Sequence, residues 1–306
     1  MFDLKGIVPP VVTPFSESGE VVYADFEANF EKYLEAGIEG YLVLGSNGES
    51  VYLEHDEKIK LIQTARKRVP ESMMLLAGTG VESTEATIRL TREAADLGVD
   101  GVLVKNPFYF KRGMTSDVYL AHYTAVADAS PVPVVLYNVP MFTGISMDGA
   151  LMIELSRHPN IRGVKESAGN VQLISEMAWA TVDNDFSIVA GSAPTLFPTM
   201  TAGARGGIVA LACAAPAAML GVYEAFRNRD YEAASSAQEI IAPAAVAVTA
   251  GFGVPGLKAA MAFEGFQSGR PRRPLLPLGT AEREELGKIF DRMNSRLAET
   301  GVGSHA

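Results

Sequence analysis

The sequence of 306 residues has few of the residues that form disulfides and metal sites. Its single cysteine, Cys213, excludes an intrachain disulfide and a cysteine metal cluster. The surrounding segment ALACAAPAA predicts a buried, structural thiol rather than a nucleophile. The histidines show no metal-ligand spacing and none lies at a predicted strand end, which argues against a metal-dependent enzyme. They are His55, His122, His158 and His305.

The sequence also lacks a long apolar run, a targeting segment and an excess of positive charge. No run approaches the length that crosses a bilayer, and the N-terminal MFDLKGIVPPVVTPF resembles neither a signal peptide nor a transit segment. The net charge of −10 argues against nucleic acid or an anionic membrane as a partner. Because 48% of the residues are hydrophobic, the chain can form a large core. We therefore predict a globular protein of the cytoplasm.

What the sequence does contain is a repeated alternation of two patterns. Short apolar, β-branched runs recur about every thirty residues, the size of a βα unit, and amphipathic helical segments such as DEKIKLIQTARKRV lie between them. Several of these segments end on a glycine suited to a helix C-cap, as at Gly37, Gly98 and Gly203. The alternation predicts a (β/α)8 TIM barrel and makes an open doubly wound sheet the weaker alternative. The eight runs begin at Gly6, Gly40, Met73, Gly101, Val132, Ile161, Phe186 and Gly206.

The strand pattern stops after Leu211, where the sequence becomes alanine-rich and helical. We predict a barrel domain over residues 1–222 and a C-terminal helical extension over residues 223–306. The string GFGVPG within the extension matches a dinucleotide-binding pattern. It follows a helix rather than a strand, so a dinucleotide site is rejected.

Reactive side chains follow the predicted strands where a barrel enzyme carries its chemistry. Lys165 ends the sixth strand, and a buried lysine whose amine is neutral can form an imine with a ketone. Tyr137 ends the neighbouring fifth strand and can act as a general acid and base. Ser46 and Asn47 lie in a glycine-bounded turn that offers donors to a carboxylate. Together these residues favour Schiff-base chemistry on a 2-oxo acid.

Three motifs carry a resemblance to a known family: GSNGES, YNVPMFTG and GVKESAGN. They resemble the signatures of the dihydrodipicolinate synthase and N-acetylneuraminate lyase superfamily, which comprises class I pyruvate aldolases on a (β/α)8 barrel. The resemblance implies that Lys165 is the Schiff-base lysine and that Tyr137 shuttles protons. Ser46 would link Tyr137 to Tyr109, which in the family reaches into a neighbouring subunit.

The resemblance also implies how pyruvate is bound and how the chain assembles. Ser46 and Asn47 would grip the pyruvyl carboxylate, and the backbone of Ile208 would line the pocket. No cofactor or metal is needed, because the covalent imine on Lys165 supplies the chemistry. The expected assembly is a homotetramer built as a dimer of dimers, with a small 2-oxo acid as the other partner.

The second substrate is the more open question. Dihydrodipicolinate synthases usually carry an arginine where this chain has Phe142, after Met141. Several stretches, among them HYTAVADASPVPVVLYNVP and FGVPGLK, resemble 4-hydroxy-2-oxoglutarate aldolase more closely. We therefore predict cleavage of 4-hydroxy-2-oxoglutarate to pyruvate and glyoxylate, with Ser167, or Lys111 or Arg112, holding the distal carboxylate.

Other activities remain open. 4-Hydroxy-tetrahydrodipicolinate synthase, which joins pyruvate and aspartate semialdehyde, and 2-keto-3-deoxy sugar-acid aldolases share the same core. N-acetylneuraminate lyase fits less well. A non-catalytic 2-oxo-acid sensor is the alternative from another class, and the joint presence of Lys165 and Tyr137 argues against it.

Overall fold

A computed structural model describes residues 2–38 and 40–300. Eight strands form one parallel sheet in the order β1-β8-β7-β6-β5-β4-β3-β2. The sheet closes because the N–H of Val11, just after β1, donates to the carbonyl of Leu42 in β2 at 2.8 Å. The predicted (β/α)8 barrel is therefore confirmed. The strands are β1 (Gly6–Val8), β2 (Gly40–Val43), β3 (Met74–Gly78), β4 (Gly101–Lys105), β5 (Val134–Asn138), β6 (Ile161–Glu166), β7 (Ser187–Ala190) and β8 (Gly206–Ile208).

Helices surround the barrel and continue beyond it. Gly37, Gly98 and Gly203 all have positive φ angles, so the predicted C-cap glycines are confirmed. A five-residue π-helix, Ala247–Gly251, separates two helices of the C-terminal region. The α-helices are α1 (Tyr23–Glu35), α2 (His55–Arg68), α3 (Thr84–Asp96), α4 (Ser116–Ala129), α5 (Pro140–Thr143), α6 (Gly149–Leu155), α7 (Val171–Ala180), α8 (Leu196–Thr201), α9 (Pro216–Arg227), α10 (Tyr231–Val246), α11 (Gly253–Phe263) and α12 (Thr280–Thr300).

The hydrophobic core has two parts, one on each face of the barrel wall. The larger part lies between the strands and the surrounding helices. The smaller part fills the barrel interior with alternate strand residues, because successive side chains of a strand point to opposite faces. Cys213 is fully buried in the larger part, which confirms the predicted structural thiol. The interior residues include Val8, Leu42, Leu76, Leu103, Val135, Tyr137, Val189 and Ile208.

The predicted domain boundary at residue 222 falls inside α9. Helix α9 packs against β1 and so belongs to the ring of barrel helices. Helices α10 to α12 follow α9 in the chain, and α10 packs against α8 and α9. The division into two domains stays a prediction, and residues 301–306, with His305, lie outside the described residues. Over the described ranges, no helix is long and apolar enough to span a bilayer.

Candidate active site

The carboxyl ends of β4, β5 and β6 carry three polar side chains in one row. Lys105 pairs in register with Tyr137, and Tyr137 pairs with Lys165. Val189, the register partner of Lys165 on β7, belongs to the interior cluster. Because residues paired in register point to the same face, all three polar side chains face the barrel interior. They form its uppermost layer, at the end where barrel enzymes hold their substrates.

Lys165 is buried without a carboxylate partner. Only 5% of the residue is exposed, and its Nζ lies 4.4 Å from the centre of the Tyr137 ring. Among the described residues Lys165 forms no ion pair. The adjacent Glu166 is occupied elsewhere, because it accepts hydrogen bonds from Asn138 Nδ2 at 3.1 Å and the N–H of Ala168 at 2.9 Å. Among the described residues, Lys165 therefore has no carboxylate partner.

The turn after β2 places Ser46 and Asn47 beside Tyr137. The Ser46 and Tyr137 hydroxyl oxygens are 3.3 Å apart, a hydrogen bond in which either can donate. The Thr13 hydroxyl donates to the carbonyl of Gly48 at 2.8 Å and so ties the turn to the segment after β1. A proton can therefore pass between Tyr137 and Ser46.

One cavity brings together most of the predicted site residues. Its total empty volume, including the open mouth, is about 660 Å³. The Ser167 hydroxyl on its wall is buried and has no hydrogen-bond partner among the described residues. Ser167 fits only because residue 191 is glycine, since a Cβ there would lie 1.7 Å from Ser167 Oγ. The predicted residues that line the cavity are Ser46, Asn47, Tyr137, Lys165, Ser167 and Ile208.

The loop after β4 stays outside this cavity. The residue Tyr109 is 74% exposed, and its ring packs edge-on against Phe110 with 5.1 Å between centroids. It does not line the cavity of its own chain, and neither do Lys111 and Arg112. Of the three groups suggested for a distal carboxylate, only Ser167 therefore reaches the cavity. The role of Tyr109 in a neighbouring subunit stays a prediction.

Sequence and structure comparisons agree on the family. The family model of the dihydrodipicolinate synthetase family matches residues 3–293. The chain belongs to this family. A relative named 4-hydroxy-tetrahydrodipicolinate synthase, from Methanoculleus marisnigri, is 36% identical over 288 residues, which are 94% of this chain and 98% of the relative.

Two solved structures have the same fold over almost their whole length. Dihydrodipicolinate synthase from Bacillus anthracis matches with a TM-score of 0.90 and 28% identity, covering 96% of this chain and 99% of that one. YagE from E. coli K12, solved in complex with pyruvate, matches with a TM-score of 0.89 and 28% identity, covering 95% and 99%. Like the dihydrodipicolinate synthetase family as a whole, the protein is a pyruvate-dependent carbon–carbon lyase.

Part of the cavity wall of this family member was missed by sequence reasoning. The π-helix and the start of α11 contribute four lining residues, although the segment GFGVPG was considered only for a dinucleotide. Single-turn π-helices often occur at functional sites. This indication of a functional site requires the helix geometry, so the sequence alone did not provide it. The four residues are Val248, Thr249, Gly253 and Val254.

A buried ion pair behind the Ser46 turn was missed as well. Glu49 and Lys258 are 2.7 Å apart, and their side chains are 1% and 2% exposed. The ammonium of Lys258 also donates to the carbonyl of Thr13 at 2.8 Å, and Glu49 accepts the N–H of Arg272 at 2.7 Å. Burial lowers the pKa of Lys258 to about 8, which leaves it mostly charged at neutral pH. In this dihydrodipicolinate synthetase family member, the C-terminal extension therefore holds the turn that carries Ser46.

Proposed function

We propose that the protein uses Lys165 as a Schiff-base nucleophile to join or cleave pyruvate and an aldehyde. The observation that carries this proposal is the position of Lys165, which is buried, without a carboxylate partner, beside Tyr137 and open to the cavity. The Nζ of Lys165 attacks the ketone carbon of pyruvate. Loss of water from the resulting carbinolamine gives the imine.

The neighbouring groups supply the remaining steps. Ser46 and Asn47, with the backbone of their turn, would hold the pyruvyl carboxylate, and the backbone of Ile208 would line the pocket. The Tyr137 hydroxyl gives its proton to the hydroxyl group that leaves the carbinolamine as water, and the resulting phenolate takes a proton from the methyl carbon of the protonated imine. This gives an enamine, whose carbon attacks the aldehyde carbon. The aldehyde oxygen, now an alkoxide, takes the proton of the Tyr137 hydroxyl. In the direction of cleavage, the same groups act in reverse order.

The relatives favour aspartate semialdehyde as the aldehyde. The relative from Methanoculleus marisnigri carries the name 4-hydroxy-tetrahydrodipicolinate synthase, as do relatives that are 31% to 35% identical. These names support the alternative raised from the sequence over its first choice, 4-hydroxy-2-oxoglutarate aldolase. We propose 4-hydroxy-tetrahydrodipicolinate synthesis as the first candidate activity.

One observation keeps 4-hydroxy-2-oxoglutarate cleavage as the second candidate. Phe142 stands at the cavity mouth where the arginine of dihydrodipicolinate synthases would bind the acceptor's carboxylate, and a phenyl ring makes no ion pair. The unpartnered hydroxyl of Ser167 is instead a donor inside the cavity. A shorter acceptor such as glyoxylate could place its carboxylate against this hydroxyl.

The proposal includes a homotetramer in the cytoplasm. Tyr109 and Phe110 are 74% and 73% exposed, an apolar pair at the end of the barrel that carries the site. A second chain that covered this pair would bring Tyr109 towards the Ser46–Tyr137 hydrogen bond. Sedimentation of the wild type and of Tyr109→Ala would test the assembly.

Borohydride trapping tests the Schiff base. Wild type and Lys165→Arg are incubated with pyruvate, reduced, digested and mapped by mass spectrometry. A pyruvate-sized adduct on Lys165, absent from the variant, is expected. Pyruvate binding without any adduct would contradict the role of Lys165 as the Schiff-base nucleophile.

Steady-state kinetics then decide the acceptor. The value of kcat/KM is compared for pyruvate with aspartate semialdehyde and for 4-hydroxy-2-oxoglutarate cleavage, in wild type and Phe142→Arg. The first candidate predicts efficient condensation by the wild type. If wild type cleaves 4-hydroxy-2-oxoglutarate and condenses aspartate semialdehyde only after Phe142→Arg, the second candidate is correct.

A further inference from the structure

A second lysine lies in the same interior layer, and the proposed reaction does not use it. Lys105 is the register partner of Tyr137 on the side opposite Lys165. Its side chain is 16% exposed, and its Nζ lies 3.4 Å from Glu82 Oε1 and 4.8 Å from the centre of the Phe108 ring. Tyr137 is thus flanked by a lysine on each neighbouring strand.

Lys105, Tyr137 and Ser46 line a small cavity of their own. Its volume is about 20 Å³, and one water needs roughly 10–15 Å³. Tyr137 and Ser46 line both this cavity and the large one, so the two cavities adjoin at these residues. Gly80 also lines the small cavity, and a Cβ there would lie 2.4 Å from the backbone nitrogen of Lys105.

The far side of Lys105 leads to solvent through Glu82. The Glu82 side chain is 44% exposed, and its Oε2 accepts the N–H groups of Phe108 and Tyr109, each at 2.9 Å. Burial lowers the pKa of Lys105, against the opposing effect of Glu82, so the ammonium releases a proton more readily than an exposed lysine. A short path within one chain therefore connects Tyr137 to the surface.

The electrostatic surroundings of Lys105 include groups from several elements. Besides Glu82 and Tyr137, His122 on α4 and Lys58 on α2 face it. Burial lowers the pKa of His122 to about 4, so this ring is neutral at pH 7. Burial also lowers the pKa of Lys58, with Lys105 as a further cause. Glu82 is thus the anionic group that faces Lys105 among these residues.

We propose that Lys105 is a positioning residue that acts through Tyr137 during proton transfer. When Tyr137 gives its proton to the aldehyde oxygen, the Lys105 ammonium stabilises the phenolate. The ammonium then returns a proton to the phenolate through the small cavity, and the resulting neutral amine takes a proton from solvent beside Glu82. Only protons move in this step. The inference rests on the proposed function, because it assigns Tyr137 the role of proton donor.

Three variants separate this role from a structural one. Lys105→Met removes the charge, Lys105→Arg keeps it, and Glu82→Gln removes the ion pair while leaving Lys105 in place. For each variant and the wild type, pyruvate trapping on Lys165 is measured first. The pH profile of kcat is then measured with the better acceptor found for the wild type.

We expect all three variants to trap pyruvate on Lys165. Lys105→Met should lower kcat at least about tenfold. It should also move the basic limb of the profile about one pH unit towards higher pH, because the Tyr137 phenolate loses the ammonium that stabilises it and one unit corresponds to a tenfold change in a proton equilibrium. Lys105→Arg should stay within about threefold of wild type.

Two results would overturn the inference. In the first, Lys105→Met keeps the wild-type kcat and pH profile. In the second, Glu82→Gln and Lys105→Met lower kcat equally without moving the profile, which would show that Lys105 only anchors the loop through Glu82. Failure of the wild type to trap pyruvate would instead refute the proposed function, so the two failures are distinguishable.

Discussion

The buried Glu49–Lys258 pair gives a prediction whose size follows from the structure. We consider Lys258→Met, which keeps the length of the side chain and removes its charge. Both partners are at most 2% exposed, and among the described residues the carboxylate of Glu49 would keep only the N–H of Arg272 as a donor. Removing one partner of a buried ion pair costs about 3–5 kcal/mol, because the remaining charge stays buried without compensation.

The comparison between single and double variants isolates the pair itself. Glu49→Gln should also destabilise strongly, since it leaves the ammonium buried. The double variant Glu49→Gln/Lys258→Met removes both charges, so it should lose at least about 2 kcal/mol less than the sum of the single losses. Urea unfolding at pH 7 and a fixed protein concentration measures all three free energies of unfolding.

An exposed ion pair of similar length is the matched control. Lys5 Nζ and Asp3 Oδ2 are 2.6 Å apart, but their side chains are 53% and 40% exposed. Lys5→Met should change the free energy of unfolding by less than about 1 kcal/mol. The reasoning is refuted if Lys258→Met costs no more than Lys5→Met, or if the losses of the two buried substitutions are additive.

The pair should also affect pyruvate binding. Glu49 ends the turn that carries Ser46 and Asn47, so loosening it should raise KM for pyruvate in variants that still fold.

Three further substitutions test other features. His122 has a folded pKa of about 4 against 6.5 in the unfolded chain, so its protonation alone should lower the free energy of unfolding by about 3 kcal/mol from pH 6.5 to pH 4. Urea unfolding of His122→Gln should therefore show a smaller loss over this range than the wild type, and an equal loss would contradict this. Gly191→Ala should displace the Ser167 hydroxyl, raising KM for the acceptor while pyruvate trapping persists; unchanged acceptor kinetics would argue against a role for Ser167. Gly78→Ala would place a Cβ 2.2 Å from the carbonyl oxygen of Leu44, so thermal unfolding should occur several degrees lower, and an unchanged Tm would contradict the clash.

The structure extends the sequence analysis most clearly at the cavity wall. Strand ends could be found from the sequence because apolar runs stop where strands stop, and this located Lys165, Tyr137 and Ser46. The contribution of Thr249 could not be found in this way. Its segment is more than eighty positions from Lys165 in the sequence, and only the packing of the C-terminal extension on the barrel brings it to the cavity.

By itself the sequence determined the barrel, its eight strands and the placement of Lys165 and Tyr137 at strand ends, because strand and helix periodicities are local properties. Burial of the single cysteine and the glycine C-caps followed for the same reason. Only the tertiary structure decided that Tyr109 lies outside the cavity of its own chain, that Lys258 holds the turn of Ser46, and that Lys105 flanks Tyr137. These relations depend on strand register and on contacts between distant segments, which no local pattern encodes.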